Sequence, residues 1–167
     1  MMNYPVMFTL RDAVSGNDFL AGITLSGRAL MMREDNKWWI YGVRPAAIAE
    51  SGNTPEEAFL RFRNAYKNVL FDFAEDAPNY ELFRSAVEQF YLQPDKDEEA
   101  HWLAAFNALR CGKAIPNEPF FAGLPKQDPG TRPTQITVER LDKKNTRYTP
   151  TDNVPDYVAG PELAAAA

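Results

Sequence analysis

Apolar and polar positions along the first fifty residues change side in short steps, and after residue 54 they take up a helical period. Tyr4 to Leu10 is rich in Val, Met, Phe and Thr, residues that suit a pleated surface. Ser15-Gly16-Asn17-Asp18 supplies turn chemistry before Phe19-Leu20-Ala21-Gly22-Ile23-Thr24-Leu25, so a β-hairpin is predicted. Ser26-Gly27 is expected to punctuate the chain. Arg28 to Arg33 then resumes an extended pattern, and Glu34-Asp35-Asn36-Lys37 forms a second polar turn before Trp38-Trp39-Ile40-Tyr41-Gly42-Val43. Pro45 has no backbone donor, which makes the continuation through Ala46, Ala47, Ile48 and Ala49 an edge strand or a bulged one.

Thr54-Pro55-Glu56-Glu57 is a strong helix start: Thr54 as N-cap, Pro55 at the first helical position, and Glu57 where a capping-box partner belongs. Phe59, Phe62, Tyr66, Val69, Leu70 and Phe73 follow at helical spacing, a stripe able to cover one face of a sheet. This helix is expected to run from Pro55 to about Asp76, with Arg63 on its wet side. Pro78 ends it, and Asn79 caps a second helix bearing Leu82, Phe83, Ala86, Val87 and Phe90. After Pro94, Asp97-Glu98-Glu99 opens a third, with Trp102, Leu103, Ala105, Phe106 and Leu109 on its apolar side up to Gly112.

From Ala114 onward prolines recur at Pro116, Pro119, Pro125, Pro129, Pro133, Pro150, Pro155 and Pro161, and only Gln135 to Leu141 has the pattern of a strand. Ala164 to Ala167 is low-complexity and expected to fray. The predicted fold is α+β: a small, largely antiparallel sheet of four to five strands packed against a long helix, with two further helices and a proline-rich tail. Residues 1–112 form the expected domain and 113–167 an extension carrying one strand.

Length and composition sharpen this picture. A chain of 167 residues with 45% apolar and 13% aromatic content holds enough hydrophobic surface for one compact core. Its 23 acidic and 18 basic residues give net charge −5, which offers polyanions no overall electrostatic footprint. The single Cys111 has no intrachain partner, and polar residues from Asn3 to Asp18 interrupt any signal-peptide core. A cytoplasmic location without a membrane span is expected.

Candidate chemistry is sparse. His101, the only histidine, stands beside Trp102 with no nucleophile near it in sequence, and Cys111 sits at a helix C-terminus, where the dipole disfavours a thiolate. One Cys and one His are too few for a structural zinc site. The acidic groups Asp72, Glu75, Asp76 and Asp95, Asp97, Glu98, Glu99 are explained by a helix end and a helix start. The stretches Tyr4–Leu10 and Trp38–Val43 carry no carboxylate for a two-metal cleft. No glycine-rich phosphate loop occurs among the nine glycines. No catalytic residue, metal or cofactor is therefore expected; the alternative class is a metal-dependent nuclease built on Asp72, Asp76 and a loop carboxylate.

The candidate partner-binding residues are Trp38, Trp39, Tyr41, Arg61, Arg63 and Lys67. Trp38 and Trp39 alternate across a strand, so one enters the core and the other reaches the opposite face, where an exposed tryptophan makes a good interface anchor. Arg61, Arg63 and Lys67 lie along the first helix as a solvated polar face or an anion-binding patch.

Residues 28–76 resemble the HicB-like antitoxin family. The resemblance is carried by the polar turn at Asp35-Asn36, the strand Trp39-Ile40-Tyr41-Gly42-Val43 with Pro45, and the cap Gly52-Asn53-Thr54-Pro55-Glu56-Glu57-Ala58. It implies a small sheet on helices, similar to an RNase H fold without its catalytic acids, that binds and neutralises a small RNA-cleaving toxin encoded nearby. Many members of the family also carry a DNA-binding segment. Here two helices and the proline-rich tail stand in its place, so DNA binding is not expected. Self-association through exposed strand edges is a third alternative.

Overall fold

The computed structural model describes residues 3–93, 95–112, 118–123 and 135–142. Strand β1 (Asn3–Gly16) turns at Asn17-Asp18 into β2 (Phe19–Glu34), which turns at Asp35-Asn36 into β3 (Lys37–Arg44) and then short β4 (Ala49–Gly52). Three helices follow: α1 (Pro55–Asp76), α2 (Tyr80–Leu92) and α3 (Lys96–Arg110). A 3-10 turn at Pro119–Gly123 precedes β5 (Gln135–Arg140). The fold is α+β, with all strand pairings antiparallel in the order β1-β2-β3-β4; β5 pairs with β2. The 14-residue β1 pairs along its whole length with β2, from Asn3 opposite Met32 to Gly16 opposite Phe19.

Two expectations about the strands are corrected. The first strand does not stop at Leu10, and Ser26-Gly27 does not break the second, which runs for 16 residues. Gly27 is there for close approach: a Cβ at that position would lie 2.3 Å from the Arg44 carbonyl oxygen and 2.8 Å from the Phe8 ring. Immediately beyond it the β2–β3 register shifts between Arg28 and Ala29, so the glycine marks a bulge. The second turn follows the sequence closely. Asp35 and Asn36 have φ of 51° and 61°, the two left-handed positions of a type I′ hairpin turn, which short polar side chains tolerate.

Helix α1 begins as its sequence predicts. The Thr54 hydroxyl accepts from the Glu57 N–H at 3.1 Å, and the Glu57 carboxylate accepts in return from the Asn53 N–H at 2.7 Å, one residue earlier than in the usual capping box. At the other end the Asn17 side chain, in the β1–β2 turn, donates to the carbonyls of Glu75 and Ala77, satisfying acceptors left over where the helix stops. Asn79 and Asp95 cap α2 and α3 in the same way as Thr54.

The sheet curls, and α1 packs on β4 and β3 at one side and β1 at the other. Even-numbered positions of β1 and odd-numbered positions of β2 point toward α1 and α2, where Val6, Phe8, Leu10, Ile23 and Leu25 meet Phe59, Phe62, Tyr66, Phe83 and Val87. Val69 and Phe73 are only half-buried; Leu70 is buried as expected, and Ala74 joins it to complete the inward stripe. Phe120 and Phe121 of the 3-10 turn join the same core, as does Val138 of β5, so these parts of the 113–167 extension share the main fold. The opposite face of the sheet has a second, smaller core, in which Trp102, Ala105 and Phe106 of α3 cover Met7, Leu30 and Val43. The expected frayed end at Ala164 to Ala167 lies outside the described residues, as do all the prolines from Ala114 onward except Pro119. No helix among the described residues is long and apolar enough to cross a membrane.

Candidate partner-binding surface

Strand β3 alternates strictly. Trp38 and Ile40 face the main core, whereas Trp39 and Tyr41 point to the other side and stay half-buried. The division of the Trp pair is the one expected, and it removes Trp38 from any binding surface: it is only 5% exposed and packs against Tyr4 and Phe121, with the Arg33 guanidinium 5.8 Å above its ring. Trp39 and Tyr41 stack on each other, ring centroids 6.1 Å apart and planes 17° from parallel. Met32 of β2 stands opposite Trp39 in the register, and Glu34 opposite Lys37, so both side chains share this face. The N-terminus of α3 closes the surround, held to the end of β3 by an ion pair between Arg44 and Glu99. Burial raises the Tyr41 phenol above its ordinary value, and the carboxylates of Glu34 and Glu98 raise it further.

The three cations expected along α1 are not one patch. Arg63 is the clear correction: it faces inward with side-chain exposure of 8% and makes two parallel hydrogen bonds, 2.8 and 3.0 Å, to the carboxylate of Asp12, itself 5% exposed. A long guanidinium can occupy a core stripe when a carboxylate meets it there. Arg61 stays on the outer side but is engaged, donating to Glu57 at 2.6 Å and to the Ser51 carbonyl of β4 at 2.9 Å. It thereby covers an edge acceptor that another strand would need. The Lys67 ammonium lies 5.8 Å from the ring centre of Phe71, an outer residue 44% exposed.

Asp12 is the residue that sequence reasoning passed over. With β1 ending at Gly16, the sheet does carry a carboxylate, and Asp12 occupies a core-facing position in line with Phe8, Leu10 and Val14. The signal available in sequence was its parity with those apolar residues. Beside the pair, the Tyr66 hydroxyl is buried and has no hydrogen-bond partner among the described residues. Its phenol is pushed well above the ordinary tyrosine value, first by burial and then by the charge of Asp12.

Asp72 and Asp76 are exposed near the end of α1. Among the described residues no group of three or more His, Cys, Asp or Glu side chains is placed to hold a metal ion. His101 lies 3.6 Å from Glu98 on the exposed side of α3, and Cys111 is exposed at that helix's end. Of the six residues named from sequence, Trp39 and Tyr41 are brought together on one surface, while Trp38 and Arg63 are taken into the interior. No protein-family model, no curated protein and no solved structure matches the chain.

Proposed function

We propose that this protein is a non-catalytic, HicB-like binding protein that masks a protein partner, in the manner of an antitoxin acting on a small RNA-cleaving toxin. The observation that carries the reading is the stacked Trp39–Tyr41 pair, set on a sheet face away from the main core and beyond the part that α3 covers. Large rings fixed on a strand bury much area at small conformational cost, which is the character of interface anchors. The order from the second hairpin through β4 into the capped helix α1 agrees with the resemblance in residues 28–76. The buried carboxylate that β1 aims at α1, Asp12, is held by Arg63 and is not presented to a substrate.

The test is co-expression of the full chain with the product of the adjacent small gene, followed by sizing of the purified material. A stable complex that is lost in Trp39→Ala and kept in Leu82→Ala is the expected outcome. A chain that stays alone with each of its genomic neighbours would remove the antitoxin-like reading.

A further inference from the structure

The chain covers many of its aromatic rings with its own cations. Arg28 stands 4.6 Å over Trp102, and Arg33, Arg44 and Arg140 stand 5.7 to 5.8 Å from the ring centres of Trp38, Tyr91 and Tyr80. Among the described residues, the stacked pair Trp39 and Tyr41 has no such cation over either ring. The charges that act on Tyr41 are acidic, Glu34 and Glu98. Glu34 shares its sheet face, with Lys37 directly opposite in the register, and Glu98 approaches Tyr41 from the first turn of α3, with His101 beside it. Two half-buried rings, with Glu34 on their sheet face and Glu98 acting on Tyr41, suit a planar cation: the rings would attract a guanidinium through their quadrupole, and the carboxylates would accept its N–H groups. Nucleic acid could stack on the same rings, but its phosphates would meet Glu34 and Glu98 on a chain of net charge −5.

We infer that Trp39 and Tyr41, with Glu34 and Glu98, receive arginine side chains from a protein partner whose contacting surface is basic. This rests on the partner-binding reading above and adds the partner's chemistry to it.

The experiment titrates the full chain with a short peptide of alternating arginine and glycine and with the same peptide carrying citrulline, the neutral counterpart of arginine. The readout is the indole N–H resonance of Trp39, assigned by its loss in Trp39→Phe. The arginine peptide is expected to shift this resonance and to leave those of buried Trp38 and Trp102 in place, while the citrulline peptide shifts none. Trp39→Ala and the milder Glu98→Gln should each weaken peptide binding by roughly three- to tenfold. Leu82→Ala, at an exposed leucine on α2, should leave it unchanged.

The inference is overturned if the two peptides act equally or the arginine peptide shifts residues elsewhere. It also falls if a single-stranded oligonucleotide, or raised concentration of the chain alone, produces the Trp39 shift in its place. The two readings fail separately. A peptide that lands on Trp39 when no neighbouring gene product forms a complex would leave the surface chemistry standing and remove the antitoxin-like function. A complex whose contacts avoid Trp39 would do the reverse.

Discussion

The two faces of the sheet are built on the same alternation but are closed to different degrees. The face toward α1 and α2 is filled by aromatic and aliphatic side chains and takes in a complete ion pair, Asp12 with Arg63. Among the described residues the face toward α3 has a core of six, and beyond it Trp39 and Tyr41 stay half-buried. Residue type alone does not tell the faces apart: the more enclosed one holds the charges and the more open one holds a tryptophan. What separates them is which partner each residue meets. A buried charge persists when its counter-charge is fixed by the fold, and a large ring is left partly uncovered where the covering helix ends.

The largest effect expected from that contrast is at the ion pair. Arg63→Ala should destabilise by about 3–5 kcal/mol, because it strands the Asp12 carboxylate in an apolar surround; Asp12→Ala should do the same to the guanidinium. Phe62→Ala, its neighbour on the stripe, should cost a similar amount of about 3–5 kcal/mol as a cavity. The double variant Asp12→Leu with Arg63→Met should recover most of the loss, since removing both charges leaves neither unpaired. Urea unfolding of the four variants measures this. If Arg63→Ala changed stability by less than about 0.5 kcal/mol, as a solvated arginine would, the inward placement of that side chain would be wrong.

The difference between Arg61 and Arg63 shows how far the sequence could be read. Phe59, Phe62 and Tyr66 defined the helix face, and Thr54 and Glu57 its start, because those signals depend on spacing and local hydrogen bonding alone. Arg63 lies beside Phe62 on that face, and its burial depends on Asp12, 51 residues away on another element. The length of β1 depended likewise on its partner: the polar residues Arg11, Asp12 and Ser15 weaken its apolar pattern, yet each pairs with β2 in register. At the candidate surface, strand parity separated Trp38 from Trp39. The approach of Glu98 to Tyr41 came from the packing of α3, which no local pattern encodes.

A second prediction concerns alkaline pH. The folded state keeps the proton on Tyr66 above the ordinary tyrosine pKa, so once the pH passes about 10 the unfolded chain binds fewer protons than the native one and stability must fall. The contribution is fully present below that pH, and the slope for one such group is roughly 1.4 kcal/mol per pH unit. Tyr66→Phe should therefore flatten the loss of stability above about pH 10, and at pH 7 it should be close to neutral, because the hydroxyl it removes has no partner among the described residues. Denaturant midpoints for the two proteins across that range would show it; parallel alkaline limbs would mean that Tyr66 ionises as freely folded as unfolded.

A smaller effect is expected at the start of α1. Thr54→Ala removes the acceptor for the Glu57 N–H and should cost about 1 kcal/mol, while Thr54→Ser should cost little because it keeps the oxygen. Equal losses in the two variants would show that the hydroxyl is not the source of the stabilisation.

The smallest effect on stability, and the one that bears most on function, belongs to the open face. Trp39→Phe keeps an aromatic ring beside Tyr41 and opens no enclosed cavity, so it should change stability by no more than about 0.5 kcal/mol. Trp38→Phe, one residue away, removes part of a ring enclosed by Tyr4 and Phe121 and should cost clearly more, about 1–3 kcal/mol from lost burial and packing. In binding the order should reverse. Trp39→Phe loses the indole, the strongest of the ring faces for a cation, and should weaken an arginine-bearing partner, whereas Trp38→Phe should leave the contact surface as it was. Thermal or urea unfolding and peptide titration on the same two variants compare the quantities directly. If Trp38→Phe proved the more damaging to binding, the partner would be sensing the packing of the core through β3, and the stacked rings would not be its point of contact.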